Sequence, residues 1–374
     1  MKVLLVANSD WGMYRFRLHL AKALLAQGIE VVLVCPEGPY SARMREAGHR
    51  VLHWNLHRRS LGPITEARAL VHLIWHYRNE RPDAVHHFTI KPNIYGSIAA
   101  RVAGVPLVLN TWTGLGYAFS DALRAKLLRL FLLPLMRLLH RNSRAWTIFQ
   151  TERDRQALVL LGVVERQRTA VIDSGVDITQ FTPHEPRAGG PPTVLMATRL
   201  LHAKGVAEFV AAAGLLRGRG IRVRALVAGA PDSGNPGSFS DQEVARMRRD
   251  GYAEFLGHVE DMRGLLSEAD IAVLPTYYNE GVPVFLLEAA ASGLPVIGTD
   301  IEGCRMIVQT GVNGLIVPAR NPEALADAIA ALVSNPALRA RMGAASRVIA
   351  IRKFDRTQAI ERYWNVYRAA GVVN

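Results

Sequence analysis

The sequence predicts an α/β protein built from two doubly wound domains, each a parallel sheet covered by helices on both faces. Three observations carry this. Short runs such as Val3–Ala7, Glu30–Cys35 and Thr193–Ala197 are almost continuously apolar instead of alternating, as strands buried on both faces must be. Longer amphipathic stretches separate them almost throughout, which is the strand–helix alternation of parallel sheets. The series runs once to about residue 180, is interrupted by the Pro- and Gly-rich FTPHEPRAGGPP at 181–192, and then restarts.

The predicted strands of the first series lie near Val3–Ala7, Glu30–Cys35, Arg50–Asn55, Ala84–His87, Leu107–Asn110, Ala145–Gln150 and Thr169–Ile172. Those of the second lie near Thr193–Ala197, Arg222–Ala228, Ala253–Leu256, Ile271–Leu274, Pro295–Thr299 and Gly314–Val317. Helical segments close the chain around 322–333, 336–350 and 357–370. The resulting domains are 1–180 and 193–356, facing each other across a cleft. A length of 374 residues fits two cores. Hydrophobic residues at 49% and charged residues at 21% exclude disordered, collagenous and coiled-coil classes. Two cysteines, Cys35 and Cys304, are too few for a disulfide framework or a cysteine-built zinc site and point to a reducing, cytoplasmic compartment. The opening MKVLLVANSD reads as a first buried strand, not a signal peptide, and no apolar run is long enough to span a bilayer.

The net charge of +13 is uneven. Residues 1–180 hold 24 Lys+Arg against 13 Asp+Glu, and residues 181–374 hold 21 against 19, so the excess is +11 and +2. The first half is therefore expected to face something anionic. Its densest basic part is 121–144, with Arg124, Lys126, Arg129, Arg137, Arg141 and Arg144, a Leu-rich opposite face, and no acid between Asp121 and Glu152. A basic, strongly apolar amphipathic helix suits an anionic membrane surface. The same residues also suit a core helix with arginines on its wet side. Nucleic acid is disfavoured, because aromatics are not interleaved with the cations.

Open parallel sheets place ligands beyond the carboxyl ends of their strands. After Thr193–Ala197 the chain reads TRLLHAKG, which puts Arg199 and Lys204 at a helix entrance. Two cations beside a helix amino terminus make a diphosphate site. After Ile271–Leu274 come Glu280 in a loop, the bare backbone Gly281–Pro283, and Glu288 eight residues beyond the first glutamate. A carboxylate accepts hydrogen bonds from vicinal diols, so Glu288 is a candidate for a ribose and Glu280 for a sugar ring. Taken singly, these residues also fit a surface ion pair, a surface glutamate and a helix-capping one. In the first domain, Gly12 permits close backbone approach after the first strand, with Tyr14, Arg15 and Arg17 at the helix entrance. His86, His87, Thr89 and Lys91 follow the strand at Ala84. There is no D-x-D sequence to hold a diphosphate through a metal, no Walker A motif, and Gly114-Leu115-Gly116 does not complete a dinucleotide fingerprint.

Together these motifs resemble glycosyltransferase family 4, whose members are retaining, metal-independent enzymes of GT-B fold that use nucleotide sugars. The resemblance rests on R-x-x-x-x-K at Arg199 and Lys204, on the two glutamates at 280 and 288, and on SGLPVIGTD (292–300) and GVNGLIV (311–317). YRFRLHLAKAL, HHFTIKPNIYGSIAARVAGVP and GLGYAFS are similar to a subgroup that extends lipid-linked sugars. Its best-known members transfer N-acetylgalactosamine from the UDP sugar to N,N′-diacetylbacillosamine on undecaprenyl diphosphate. The resemblance implies that the first domain binds the acceptor and the second the donor, with helix 357–370 packing back on the first. It implies that Arg199 and Lys204 bind the donor diphosphate, Glu288 the ribose, and Glu280 with the amides of Gly281, Val282, Pro283 and Val284 the donor sugar. Val259 would meet the base through its backbone, Gly12 the donor phosphates, and Lys91 the acceptor diphosphate or donor. Tyr14, Arg17 and His87 complete the expected binding set. No cofactor is implied, and the expected place of action is the inner face of the cell membrane. A soluble acceptor, or a non-catalytic sugar-nucleotide-binding protein on the same frame, are the alternatives. Trp112 and Thr113 stand where many family members carry a histidine, and Met306 where a glutamate is frequent.

Overall fold

The computed structural model describes residues 1–57, 62–115, 119, 123–140, 145–185, 189–232, 234–278 and 281–373, with the backbone alone at 123–126, 128 and 131. It divides into two compact units: Met1–Asp173 with Ala359–Asn374, and Ser174–Gln358.

The first unit holds β1 (Lys2–Ala7), β2 (Glu30–Cys35), β3 (Arg50–His53), β4 (Ala84–Phe88), β5 (Leu107–Trp112), β6 (Ala145–Phe149) and β7 (Thr169–Val171). Their order across the sheet is β3-β2-β1-β4-β5-β6-β7, and neighbours run parallel. Side chains alternate across this sheet. Val3 and Leu5 enter one core, shared with Tyr363 and Tyr367 of the final helix, while Leu4 and Val6 enter the other with Trp54, Leu73 and Tyr77. Burial on both faces is why these strands read as continuous apolar runs. β5 extends past the expected Asn110 because Thr111 and Trp112 still find partners in Ile148 and Phe149 of β6. β3 stops at His53, short of the expected Asn55.

The second unit holds β8 (Thr193–Ala197), β9 (Arg224–Ala228), β10 (Glu254–Gly257), β11 (Ile271–Leu274), β12 (Val296–Thr299) and β13 (Gly314–Val317). The order is β10-β9-β8-β11-β12-β13, again parallel, around one continuous core. The boundary between the units falls at Asp173–Ser174, ahead of the Pro- and Gly-rich stretch. Residues just after it belong with the second unit: Val176 N–H donates to the Phe354 carbonyl at 2.7 Å, and Phe181 is buried in that core. Arg347 fastens the segment by donating to the carbonyls of Phe181 at 2.6 Å and Ile178 at 2.9 Å. The chain returns at Ala359, and Arg362 pairs with Asp173 at 2.9 Å inside the first unit.

Each sheet has one place where successive connections leave in opposite directions: between β1 and β4 in the first, and between β8 and β11 in the second. Such switch points open a crevice at the carboxyl edge of a sheet, where ligands bind.

Candidate functional site

In the second unit the loops after β8 and β11 meet at the switch point. Arg199 follows β8; its Nη1 donates to Asp232 Oδ2 at 2.7 Å, and nearly half of the side chain remains exposed. The chain then makes one tight turn, His202–Lys204, before Gly205 starts the helix Val206–Gly218. Gly205 has φ +79°, and a Cβ there would lie 2.2 Å from the Pro275 carbonyl oxygen, so only glycine lets the two loops touch. Lys204 is 6% exposed, with its ammonium 5.1 Å from the centre of the Tyr278 ring. The carbonyl of Ala203 beside it accepts from Tyr277 N–H (2.9 Å), Tyr278 N–H (3.0 Å) and the Thr276 hydroxyl (3.1 Å). Lys204 is thus locked to the β11 loop by its neighbour's backbone.

That loop leads into the helix Val284–Ala291. Gly281, Val282 and Pro283 are buried, and Val284 is half-buried. Pro283 occupies the cap position, extended, with no side-chain hydrogen bond to the helix start. The first amides are therefore not capped by a side chain, and their partial positive charge points at the loop. Glu288 is buried in the second turn. Glu280 lies outside the described residues. Val259 follows β10 half-buried against the unit's core. The structure thus brings Arg199, Lys204, 281–284 and Glu288 to the carboxyl edge of one sheet. Two fixed cations and an uncapped helix start there make an anion cradle suited to a diphosphate.

Sequence reasoning missed the supports of this cradle. Asp232 orients Arg199, and Arg320 lies over the Tyr277 ring at 4.3 Å. Arg320 has φ +57°, a left-handed backbone that few non-glycine residues adopt, and nothing local in the sequence marks it. Glycine at 320 would recover about 1 kcal/mol of backbone strain and lose about as much cation–π contact. Arg320→Gly is expected to leave the urea midpoint nearly unchanged while weakening the binding of a nucleoside diphosphate several-fold. Equal losses of stability and binding would mean the contact is merely structural.

The first unit presents a different picture at its β1/β4 switch point. Gly12 N–H donates to the Ser9 hydroxyl at 3.1 Å, and a Cβ on Gly12 would lie 2.7 Å from that oxygen. Tyr14 is exposed, its ring 5.3 Å from that of Tyr40. Arg17, expected to face a ligand, is instead buried: its guanidinium lies 4.3 Å over the Phe88 ring, next to the hydroxyl of Tyr363. Burial lowers its pKa, and the Tyr363 hydroxyl opposes that shift. His87 also needs correction. It is fully buried, Nδ1 bonds Asn110 Oδ1 at 2.8 Å, and Nε2 bonds the Tyr77 hydroxyl at 2.8 Å. Both nitrogens are taken, so His87 has nothing left for a substrate. Lys91 donates to both carboxylate oxygens of Glu66 at 2.9 Å and to the His57 carbonyl at 3.1 Å, which makes it a paired cation. Thr89 follows β4 with φ +79° and ψ 169°, a region almost reserved for glycine, and its buried hydroxyl has no hydrogen-bond partner among the described residues.

His87 and His140 share an electrostatic consequence. Burial, the largest cause in both, pushes each pKa from 6.5 down to about 4. Hydrogen bonds to Asn110 and to the Met136 carbonyl act the other way and do not overcome it. Between pH 4 and 6.5 the unfolded chain therefore binds more protons than the folded one. Stability is complete above about pH 6.5 and falls as pH drops toward 4, by on the order of 3 kcal/mol per histidine. Urea midpoints measured from pH 7 to 4.5 should decline through that window; a flat profile would contradict this account.

Two doubly wound units of this kind define the GT-B fold, and solved structures share it. A glycosyltransferase from Rickettsia africae superimposes with a TM-score of 0.79 at 18% identity, covering 99% of this chain and 98% of that one. HepE of Anabaena, solved in complex with UDP-glucose, gives 0.77 at 18% identity with 100% of both chains covered. Residues 12–175 match the family model described as glycosyl transferase 4-like domain, and residues 191–335 the model described as glycosyl transferases group 1; the chain belongs to this glycosyltransferase family. Among curated relatives, a Campylobacter jejuni N,N'-diacetylbacillosaminyl-diphospho-undecaprenol alpha-1,3-N-acetylgalactosaminyltransferase is 27% identical over 98% of this chain and 98% of its own. A UDP-Gal:alpha-D-GlcNAc-diphosphoundecaprenol alpha-1,3-galactosyltransferase of Escherichia coli is 24% identical, with 87% of this chain and 86% of its own covered. Among the described residues no helix is long and apolar enough to cross a membrane.

Proposed function

We propose that this glycosyltransferase moves a hexosyl group, a HexNAc such as N-acetylgalactosamine, from a UDP sugar to a saccharide carried on a polyprenyl diphosphate. It would act at the inner membrane face, with retention at the anomeric carbon and without a metal ion. The observation that carries this reading is the end-to-end similarity to the Campylobacter jejuni enzyme, whose acceptor is a diphospho-undecaprenol sugar. The second unit's cradle supports the donor class.

In this reading Arg199, Lys204 and the amides at the start of the helix Val284–Ala291 hold the UDP diphosphate. They draw off its charge as the bond from the anomeric carbon to the phosphate oxygen breaks. The acceptor hydroxyl forms its new bond on that same face, and its proton passes to the departing phosphate. Glu288 holds the ribose and Glu280 the donor sugar. The two protein cations supply the charge that a divalent ion supplies elsewhere. The basic helix within 121–144 holds the enzyme against anionic lipid, where the acceptor resides.

A UDP-release screen over UDP sugars tests this, run in detergent with and without a synthetic undecaprenyl-diphosphate saccharide, and with EDTA. Release with one sugar that requires the lipid-linked acceptor and ignores EDTA is the expected result. Release onto a soluble acceptor alone, or silence with every UDP sugar, overturns the acceptor or the donor assignment respectively.

A further inference from the structure

The helices Pro63–Glu80, Ile90–Ala103 and Leu123–His140 form one layer on one face of the first unit's sheet, the middle helix touching both others. Their outer surface is unusual. On Pro63–Glu80, the large side chains Ile64, Val71 and Trp75 are 69%, 64% and 55% exposed. Spacings of seven and four residues align them in a single stripe along that helix. On Leu123–His140, Leu127, Leu130 and Leu138 are exposed in the same manner, at spacings of three and eight.

The charges sort with the stripes. Glu66 and Glu80 are the sole carboxylates in the three helices. Both are turned inward and paired, Glu66 with Lys91 at 2.9 Å and Glu80 with Arg50 at 2.6 Å. Among the described residues the exposed charges of the layer are instead Arg68, Arg78, Arg101 and Arg137. An apolar surface of this extent, bordered by cations and cleared of unpaired acids, matches the interface of an anionic bilayer. A tryptophan in the outer stripe suits the headgroup level, where its indole is half in hydrocarbon and half in water.

We propose that the membrane-docking surface of this protein is the whole three-helix layer, and that Ile64, Val71 and Trp75 form a second insertion stripe besides the basic helix Leu123–His140. This rests on the reading of the acceptor as lipid-linked and extends it to an orientation: the sheet face bearing these helices lies against the bilayer, while the opposite face, with Leu25, points to the aqueous side.

Vesicle flotation of the full chain tests the inference, using phosphatidylcholine alone and phosphatidylcholine with phosphatidylglycerol. The wild type should float with the anionic vesicles, and less so in 0.5 M salt. The double variant Val71→Glu/Trp75→Glu should lose about 10-fold in partitioning with the basic helix intact. Leu25→Glu, on the other face, should stay within about twofold of wild type. A folding check comes from near-ultraviolet circular dichroism and from UDP release with a water-soluble diphosphate saccharide, both of which the double variant should retain. Wild-type partitioning by the Val71/Trp75 variant, equal losses in Leu25→Glu, or equal binding to neutral vesicles would each overturn the second stripe. Failure of the lipid-linked acceptor in the UDP-release screen would overturn the proposed acceptor and leave the flotation result to be judged separately.

Discussion

Lys204→Ala is expected to lower kcat about 10²–10³-fold, the usual cost of removing one fixed group that stabilises transition-state charge. Arg199→Ala should lose a comparable amount. The mechanism separates the two in a second measurement. Lys204 is buried and stacked near Tyr278, so its removal leaves a small void and lowers stability by about 1–2 kcal/mol. Arg199 is nearly half-exposed, and its ion pair to Asp232 is open to solvent, so its loss should shift the urea midpoint very little. Near-normal turnover in either variant would remove the diphosphate assignment from this cradle.

Gly205→Ala should produce the second-largest effect, and through the backbone alone. The added Cβ would sit 2.2 Å from the Pro275 carbonyl oxygen, a backbone atom with no side-chain freedom to retreat, at φ +79°. A loss of about 3 kcal/mol is expected, together with at least a 10-fold drop in kcat, because Lys204 must move with its neighbour. Gly220→Ala supplies the control. It has φ +73° and nothing within 4 Å of the built Cβ, so it should cost only about 1 kcal/mol and leave kcat unchanged. Equal costs at the two glycines would show that the contact with Pro275 is not what fixes the loop.

Much of the fold was legible because strand signals are local. β2, β8, β11 and β13 have the bounds that their apolar runs indicate, and the closing helices begin within a residue of the expected places. β5 was read short because pairing with β6, which no local pattern displays, carries it on to Trp112. In the second unit, Arg199 and Lys204 were legible as cations just after a strand and Glu288 as an acid on the helix that follows another, and the sheet order gathers them. The first unit was harder to read for one reason: a cation or imidazole at a strand end can be claimed by a distant partner. Tyr77 and Asn110 claim His87, Glu66 claims Lys91, and the Tyr363 hydroxyl meets Arg17 from the far end of the chain. Residue spacing reveals a side chain's position along its own element, not who arrives from another one.

The return of Ala359–Asn374 to the first unit also sets a timetable. His86, in the centre of the first sheet, bonds the Tyr367 hydroxyl 281 residues downstream, and Tyr363 and Tyr367 help fill the same core. At the usual 5–20 residues per second, a ribosome needs about 15–55 s to make that intervening stretch. The first seven strands therefore leave the exit tunnel before the helix that seals one side of their sheet has been synthesised, whereas Ser174–Gln358 has every residue of its own core in hand. The unit whose synthesis begins first is the one whose last core residues are made last. A nascent chain stalled before residue 359 should expose the aromatic-lined face of that sheet to chaperones.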